Sequence, residues 1–117
     1  MKATDVLTND LRVALSEKYG RSAFLQRVNV IAMATSTRGM VRSCQPGTAD
    51  LLGVVKGYAV AIEVKAGKDR QRESQKNFQE CWEWAGGIYL IARDVKATML
   101  DLDGEIEARV LNPWADV

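Results

Sequence analysis

The clearest hydrophobic pattern in the chain lies between Asp50 and Lys65, where the sequence reads DLLGVVKGYAVAIEVK. Two apolar runs, Leu51–Val55 and Tyr58–Val64, flank the dipeptide Lys56-Gly57. A Gly-containing dipeptide between two apolar runs is typical of a two-residue turn that joins antiparallel strands. The pattern therefore predicts a β-hairpin near the middle of the chain.

The register of this hairpin places charged side chains together. Val55 faces Tyr58 across the turn and, counting outward, Asp50 faces Glu63, so two carboxylates should repel each other unless a cation lies between them. Lys65 is two residues beyond Glu63 and projects from the same face of the strand. The opposite face carries an apolar stripe, namely Tyr58, Val60, Ile62 and Val64. We expect a cation site on one face and the core on the other.

Apolar residues at helical spacing predict two helices. Residues 5–18 form an amphipathic pattern with one stripe of Leu7, Leu11, Ala14, Leu15 and the stem of Lys18. Asp10 lies on the flank of that stripe, so of the early acids it is best placed to look toward the sheet. The second helix is predicted from Arg70 to Ala85, with a stripe of Phe78, Cys81, Trp82 and Ala85 before Gly86-Gly87 ends it.

The region before the hairpin is predicted as a strand and a loop. Residues 22–34 read as a strand with core candidates Phe24, Val28, Val30 and Ile31. Residues 35–46 combine turn-prone residues with two arginines and little periodicity, which favours a mobile basic loop. Gly47 then allows the backbone to turn sharply ahead of Asp50.

The region after the second helix completes the sheet. Residues 88–92, IYLIA, form a short apolar run that is typical of a buried central strand. The tail predicts a short helix near 95–100, a turn at Asp103-Gly104 and an edge strand over 106–110. The order helix, three strands, helix, strand indicates an α/β fold, an αβββαβ sandwich with a central mixed sheet. With 117 residues, the chain is expected to form one domain over 1–117.

The composition limits the kinds of catalysis and metal site that this chain can support. The sequence contains no histidine, which excludes Ser-His-Asp and Cys-His catalysis and most transition-metal sites. A metal here must accept oxygen ligands, which points to Mg²⁺ or Mn²⁺. Cys44 and Cys81 lack a CxxC spacing and read as reduced thiols of a cytoplasmic protein. We expect no membrane span, since no apolar run approaches the ~20 residues required, and no secretory signal, since the N-terminus lacks an apolar segment.

Charge is unevenly distributed although the net charge is only +1. Between Glu17 and Asp50 there is no acid, while five cations occur there, Lys18, Arg21, Arg27, Arg38 and Arg42. A second basic run follows the hairpin, Lys65, Lys68, Arg70, Arg72 and Lys76. The tail from Asp94 is acidic. The asymmetry favours a side that binds a polyanion, although chance clustering on a solvated surface explains it equally well without the carboxylate site.

The predicted site suits hydrolysis of a phosphodiester. Asp50 and Glu63 would hold the ion, with the carbonyl of Val64 as a further ligand, and Asp10 would either complete the ligand set or contact the ion through water. Lys65 would help to deprotonate the attacking water or stabilise the charge that develops on the phosphate. Gln75 would position Lys65 or bind a phosphate. The cations expected to grip the nucleic acid backbone are Arg38, Arg42, Lys68, Arg72 and Lys76.

Each of these residues also has an ordinary structural interpretation. Glu63 and Lys65 could form an exposed ion pair on an edge strand, which contributes little energy. Gln75 could be a solvated helix residue and Asp10 an ordinary surface charge. Trp82 is expected in the core, whereas Trp84, if exposed, could serve a dimer interface.

The motifs resemble those of a known family. Pro46-Gly47-Thr48-Ala49-Asp50, then Glu63-Val64-Lys65, then Ser74-Gln75 is similar to the PD-(D/E)XK nuclease superfamily. The spacing resembles its VRR-NUC group, whose pattern is a helical acid, G-x-x-D, E-x-K and a following glutamine. The resemblance covers residues 5–92 and implies a restriction-endonuclease-like fold. Asp10 stands where the family usually has glutamate, and its shorter side chain weakens that match.

The resemblance implies roles for matching residues and a class of substrate. Asp50 and Glu63 would be metal ligands, Lys65 the catalytic lysine and Gln75 its support. Members of the group are Mg²⁺/Mn²⁺-dependent DNA nucleases, and small stand-alone members, often phage-encoded, look like homodimers that cut branched DNA such as four-way junctions. We therefore expect a structure-selective endonuclease with no small-molecule cofactor, in the cytoplasm, at the nucleoid or in a phage-infected host cell. A non-catalytic nucleic-acid-binding module and an RNA nuclease with the same site remain alternatives.

Overall fold

The central hairpin forms as its pattern predicts. A computed structural model describes residues 2–28, 32–37, 39–42 and 46–112. In it β4 (Leu51–Val55) pairs with β5 (Tyr58–Val64) in antiparallel register, from Val55 opposite Tyr58 to Leu51 opposite Ile62. The turn residues Lys56 and Gly57 have φ values of 51° and 86°. Two successive positive φ values match the two-residue turn that follows the twist of the strands.

In the described part of the chain, four strands build the main sheet and three α-helices cover it. The sheet order is β1-β4-β5-β6, with antiparallel pairs except for the parallel pair β5–β6. The prediction of an α/β fold with a central mixed sheet is confirmed. The remaining elements are α1 (Ala3–Tyr19), a short 3₁₀ turn (Gly20–Ser22), β1 (Ala23–Arg27), β2 (Ala32–Thr35), β3 (Gly39–Arg42), α2 (Glu73–Trp84), β6 (Ile88–Ala92) and α3 (Val95–Leu111).

The sheet separates a large core from a smaller one. On one face α1 and α3 pack over the apolar stripe of β5, and the cluster includes Leu11, Leu15, Leu51, Val60, Ile62, Ile88, Leu102 and Ile106. On the other face α2 packs through Phe78 and Trp82 against Ala61 and Tyr89. The Phe78 and Trp82 rings stack with centroids 5.6 Å apart. Residues that alternate with the large core on β5 therefore point toward α2.

The region before the hairpin differs from the prediction. The expected strand over 22–34 is split into β1 and β2, and part of the expected loop forms β3, which pairs with β2 in a separate two-stranded sheet. Phe24, predicted in the core, is 67% exposed, because it lies on the sheet face away from α1 while Ala23 and Leu25 pack inward. Val28 is half-buried. Val30, Ile31 and Cys44 lie outside the described residues.

The tail is also corrected. A single helix, α3, replaces the predicted short helix, turn and edge strand. Its buried residues Thr98, Leu102 and Ile106 recur every fourth position, so the stripe continues through Gly104. Asp103 within the helix contacts Tyr19 and Lys18 at the end of α1. Among the described residues, no helix is both long enough and apolar enough to cross a membrane.

Candidate active site

Asp50 is fixed at the mouth of the hairpin by backbone contacts. The backbone N–H of Val64 donates to Asp50 Oδ2 at 2.7 Å, and the N–H of Val28 donates to the Asp50 carbonyl at 2.8 Å. The carboxylate is therefore held against the last residue of β5. This contact places Asp50 beside Glu63, as the register predicted.

Glu63 is a buried carboxylate with one unsatisfied oxygen. The residue is 4% exposed, and Oε2 has no hydrogen-bond partner among the described residues. Burial, followed by the charge of Asp50, raises the pKa of Glu63 to about 7, while Lys65 acts in the opposite direction. A proton shared with the Asp50 carboxylate would also favour the neutral form of Glu63. When both are ionised, Oε2 needs a cation instead.

Gln75 connects Lys65 to Glu63. Lys65 Nζ donates to Gln75 Oε1 at 2.9 Å, and Gln75 Nε2 donates to Glu63 Oε1 at 2.8 Å. Lys65 Nζ lies 3.9 Å from the same Glu63 oxygen, too far for a direct hydrogen bond. Gln75 and Lys65 are buried, at 3% and 8% exposure. Glu63 and Lys65 are thus not an exposed surface pair, and Gln75 is not a solvated helix residue.

The start of α2 is held at the site by two further features. Gln75 Oε1 also accepts from the backbone N–H of Arg72 at 2.8 Å, so the same amide caps the helix. Gly47 has φ +86°, and a Cβ atom on it would lie 2.2 Å from the Ser74 carbonyl oxygen. The backbone before Asp50 therefore packs directly on the first turn of α2. Only glycine fits there.

The donor set fits a hard divalent cation. Mg²⁺ typically binds through one or two carboxylates and retains several waters. The Asp50 carboxylate and Glu63 Oε2, which has no hydrogen-bond partner among the described residues, supply two such groups, and the Val64 peptide adjoins Asp50. No group of three or more His, Cys, Asp or Glu side chains suited to a metal occurs within the described part of the chain. A cation here would therefore depend on these two carboxylates, backbone oxygen and water.

Asp10 is not brought to this site. It is exposed on α1, whose buried residues pack on the sheet face opposite Glu63. The prediction that Asp10 completes the carboxylate set is not supported by this placement. The helical stripe correctly indicated which side of α1 faces the protein, but it carried no information about which face of the sheet α1 covers.

The predicted phosphate-binding residues divide into two groups. Lys68, Arg72 and Lys76 are exposed, between the end of β5 and the first turn of α2. Arg38 lies outside the described residues. Arg42 belongs to β3, which replaces part of the predicted loop, and its side chain lies outside the described part of the structure.

Sequence reasoning missed a polar cluster beside the site. Gln71 Nε2 donates to Gln79 Oε1 at 2.9 Å and to the Tyr89 hydroxyl at 3.1 Å. Burial, with added contributions from Glu63 and Asp50, raises the pKa of Tyr89 to about 12, so the phenol stays protonated. The sequence carried no signal for Tyr89, because its place on the face of the site follows from the parallel register, in which Ala61 faces Tyr89 and Glu63 faces Ile91.

Comparison with known proteins identifies the fold of this chain. No family model matches the chain, and no curated protein matches it. A solved structure described as a VRR_NUC domain superposes on 83% of this chain and 95% of its own length, with a TM-score of 0.53 and 14% sequence identity. The chain therefore has the restriction-endonuclease-like α/β fold of that VRR_NUC domain.

Proposed function

We propose that this protein is a metal-dependent DNA endonuclease that hydrolyses phosphodiester bonds. The observation that carries the proposal is the buried Glu63 Oε2, unpartnered within the described residues, beside Asp50. A buried anionic oxygen without a partner is costly, and proteins retain such groups mainly at functional sites. The fold of a VRR_NUC domain and the E-x-K arrangement at the end of β5 support the same conclusion.

Asp50 and Glu63, with the Val64 carbonyl, would hold Mg²⁺ or Mn²⁺. When bound, such an ion polarises a phosphoryl oxygen and makes a water more acidic. Gln75 orients Lys65 by accepting one hydrogen bond from Nζ, and this contact uses one of the three N–H donors of the ammonium. The remaining N–H groups can therefore stabilise the negative charge that develops on the phosphate, or hold the attacking water in position by a hydrogen bond.

DNA is the proposed substrate because exposed cations adjoin the buried site. Lys68 and Arg72 are exposed between β5 and α2, and Lys76 is exposed in the first turn of α2; all three can contact phosphates of the strand being cut. We further propose that the protein acts inside the cell as a homodimer on branched DNA, since two copies present two sites to two strands. Trp84, which is 87% exposed on α2, is a candidate for the dimer contact.

Cleavage and binding must be measured together. Purified protein is incubated with labelled duplex, single-stranded, flap and four-way-junction DNA and with RNA, with and without Mn²⁺. We expect Mn²⁺-dependent cleavage, strongest on the junction, and its loss in Lys65→Ala while DNA binding persists. Binding without cleavage of any substrate would contradict the nuclease proposal and indicate a non-catalytic nucleic-acid-binding module. Cleavage confined to RNA would correct the substrate.

A further inference from the structure

The loop between β5 and α2 carries three exposed cations. Residues 66–72 leave the site directly after Lys65, and Lys68, Arg70 and Arg72 are all exposed. Long cationic side chains on an unrestrained loop bind phosphate weakly, because binding must first order both the loop and the side chains. The structure shows how this loop is already ordered.

Arg93 holds the first half of the loop. It follows β6 directly and, because β5 and β6 are parallel, both strands end at the same edge of the sheet. Arg93 Nη1 donates to the Gly67 carbonyl at 3.0 Å, and Nη2 donates to the Asp69 carbonyl at 2.6 Å. These carbonyls flank Lys68. A turn bond from Asp69 N–H to the Ala66 carbonyl at 3.1 Å closes the same segment.

Gln71 and Arg72 hold the second half. The Gln71 amide donates to Tyr89 and Gln79, as described for the polar cluster, and the Arg72 backbone N–H donates to Gln75 Oε1. The first half of the loop is thus attached to Arg93, which follows β6, and the second half to β6 and α2. The cationic side chains at alternate positions of the loop are exposed.

We propose that Arg93 is a positioning residue that pre-orders Lys68 and Arg70 for the phosphates of a DNA strand at the site. The inference rests on the proposed function, since it assigns these cations to the same substrate. Two donor groups of the Arg93 guanidinium are already engaged by loop carbonyls. Arg93 therefore acts through the loop, and its removal should matter only while the loop cations are present.

A double-mutant cycle tests this coupling. DNA affinity is measured in EDTA, so that no cleavage occurs, for Arg93→Ala in the wild-type background and in a Lys68→Gln/Arg70→Gln background. We expect a loss of about tenfold in the first background and less than about twofold in the second. Equal losses in both would overturn the proposal, because they would mean that Arg93 contacts phosphate itself.

Two controls separate positioning from charge. Arg109→Ala removes the same charge from α3, where Arg109 contacts Glu105, and should change affinity less than about twofold. Arg93→Lys keeps the charge but loses the planar fork that reaches two carbonyls, so it should resemble Arg93→Ala. Wild-type affinity in Arg93→Lys would show that charge alone matters and would refute the positioning role.

Hydrogen exchange distinguishes failure of this inference from failure of the proposed function. In the absence of DNA, Arg93→Ala should speed amide exchange in residues 66–71 and leave β5 protected. If the variant exchanges faster but the wild-type protein binds no DNA, Arg93 orders the loop and the DNA-binding role of the loop is rejected. Unchanged exchange would show that Arg93 does not order the loop, whatever the protein binds.

Discussion

At the residue scale, the site is a chain of three buried polar groups. Gln75 accepts from Lys65 and donates to Glu63 Oε1, and the other Glu63 oxygen has no hydrogen-bond partner among the described residues. The hairpin register was sufficient to predict Asp50, Glu63 and Lys65 on one face, because side chains alternate strictly along a strand. The contact between Gln75 and Glu63 was not predictable, since it depends on how α2 packs on the sheet.

Removing the Gln75 amide should disable the site. In Gln75→Ala, Lys65 and Glu63 lose their shared partner inside the protein, so we expect a loss of about 1–3 kcal/mol in the free energy of unfolding. We also expect a fall of roughly 10- to 100-fold in kcat for Mn²⁺-dependent DNA cleavage. Gln26→Ala, at an exposed position on β1, is the matched control and should change neither quantity. Wild-type cleavage by Gln75→Ala would contradict the supporting role.

The raised pKa of Glu63 gives the metal-free protein a distinctive pH dependence. Its carboxyl has an ordinary pKa of 4.5 in the unfolded chain and about 7 in the folded one, chiefly because of burial. The folded state thus holds a proton that the unfolded state releases, so its stability should fall as pH rises from 4.5 through 7.

This pH effect is measured as the difference in Tm between wild type and Glu63→Gln in EDTA. The wild type should lose Tm relative to the variant as pH rises through this window, and saturating Mn²⁺ should reverse the loss. Parallel Tm profiles for the two proteins would show that Glu63 does not titrate in this way.

At the element scale, local signals predicted some elements and misled for others. The hairpin and β6 formed as expected because turn chemistry and apolar pattern agree there. In α3 the two signals conflict, because Asp103-Gly104 is typical of a turn whereas the buried residues Thr98, Leu102 and Ile106 keep helical spacing. Packing against the core decided in favour of the helix. The pairing of β2 with β3 was missed because it depends on contact between two weakly patterned segments.

The junction between the segment before Asp50 and α2 makes a direct prediction. Gly47 and Gly57 share φ +86°, but a Cβ atom meets the Ser74 carbonyl at Gly47 and nothing within 4 Å at Gly57. Gly57→Ala should cost about 1 kcal/mol of unfolding free energy, the cost of the backbone conformation alone. Gly47→Ala should cost roughly 1–3 kcal/mol more, because the first turn of α2 must shift.

Cleavage assays on the same two variants report on the site. Gly47→Ala should lose activity because Gln75 moves with the helix, whereas Gly57→Ala should retain it. Equal stability and equal activity in the two variants would contradict the close packing of Gly47 on α2.

At the scale of the whole molecule, the sheet separates the large core from the candidate site. One face carries the large core with α1 and α3, and the other carries the buried polar site under α2. Sequence order predicted the sheet and its hairpin, but it did not predict which face each helix covers. Because α2 covers the face that carries Glu63 and α1 covers the opposite face, Gln75 lies in the site and Asp10 does not.

The central claim is that Asp50 and Glu63 together bind a divalent cation, and a Mn²⁺ titration by calorimetry tests it most directly. The wild type should bind Mn²⁺ with release of protons below pH 7, because Glu63 must ionise. Asp50→Asn combined with Glu63→Gln should abolish that binding, whereas Asp10→Asn should leave it intact. Binding of Mn²⁺ by the double variant with wild-type affinity, or no binding by the wild type, would contradict the account.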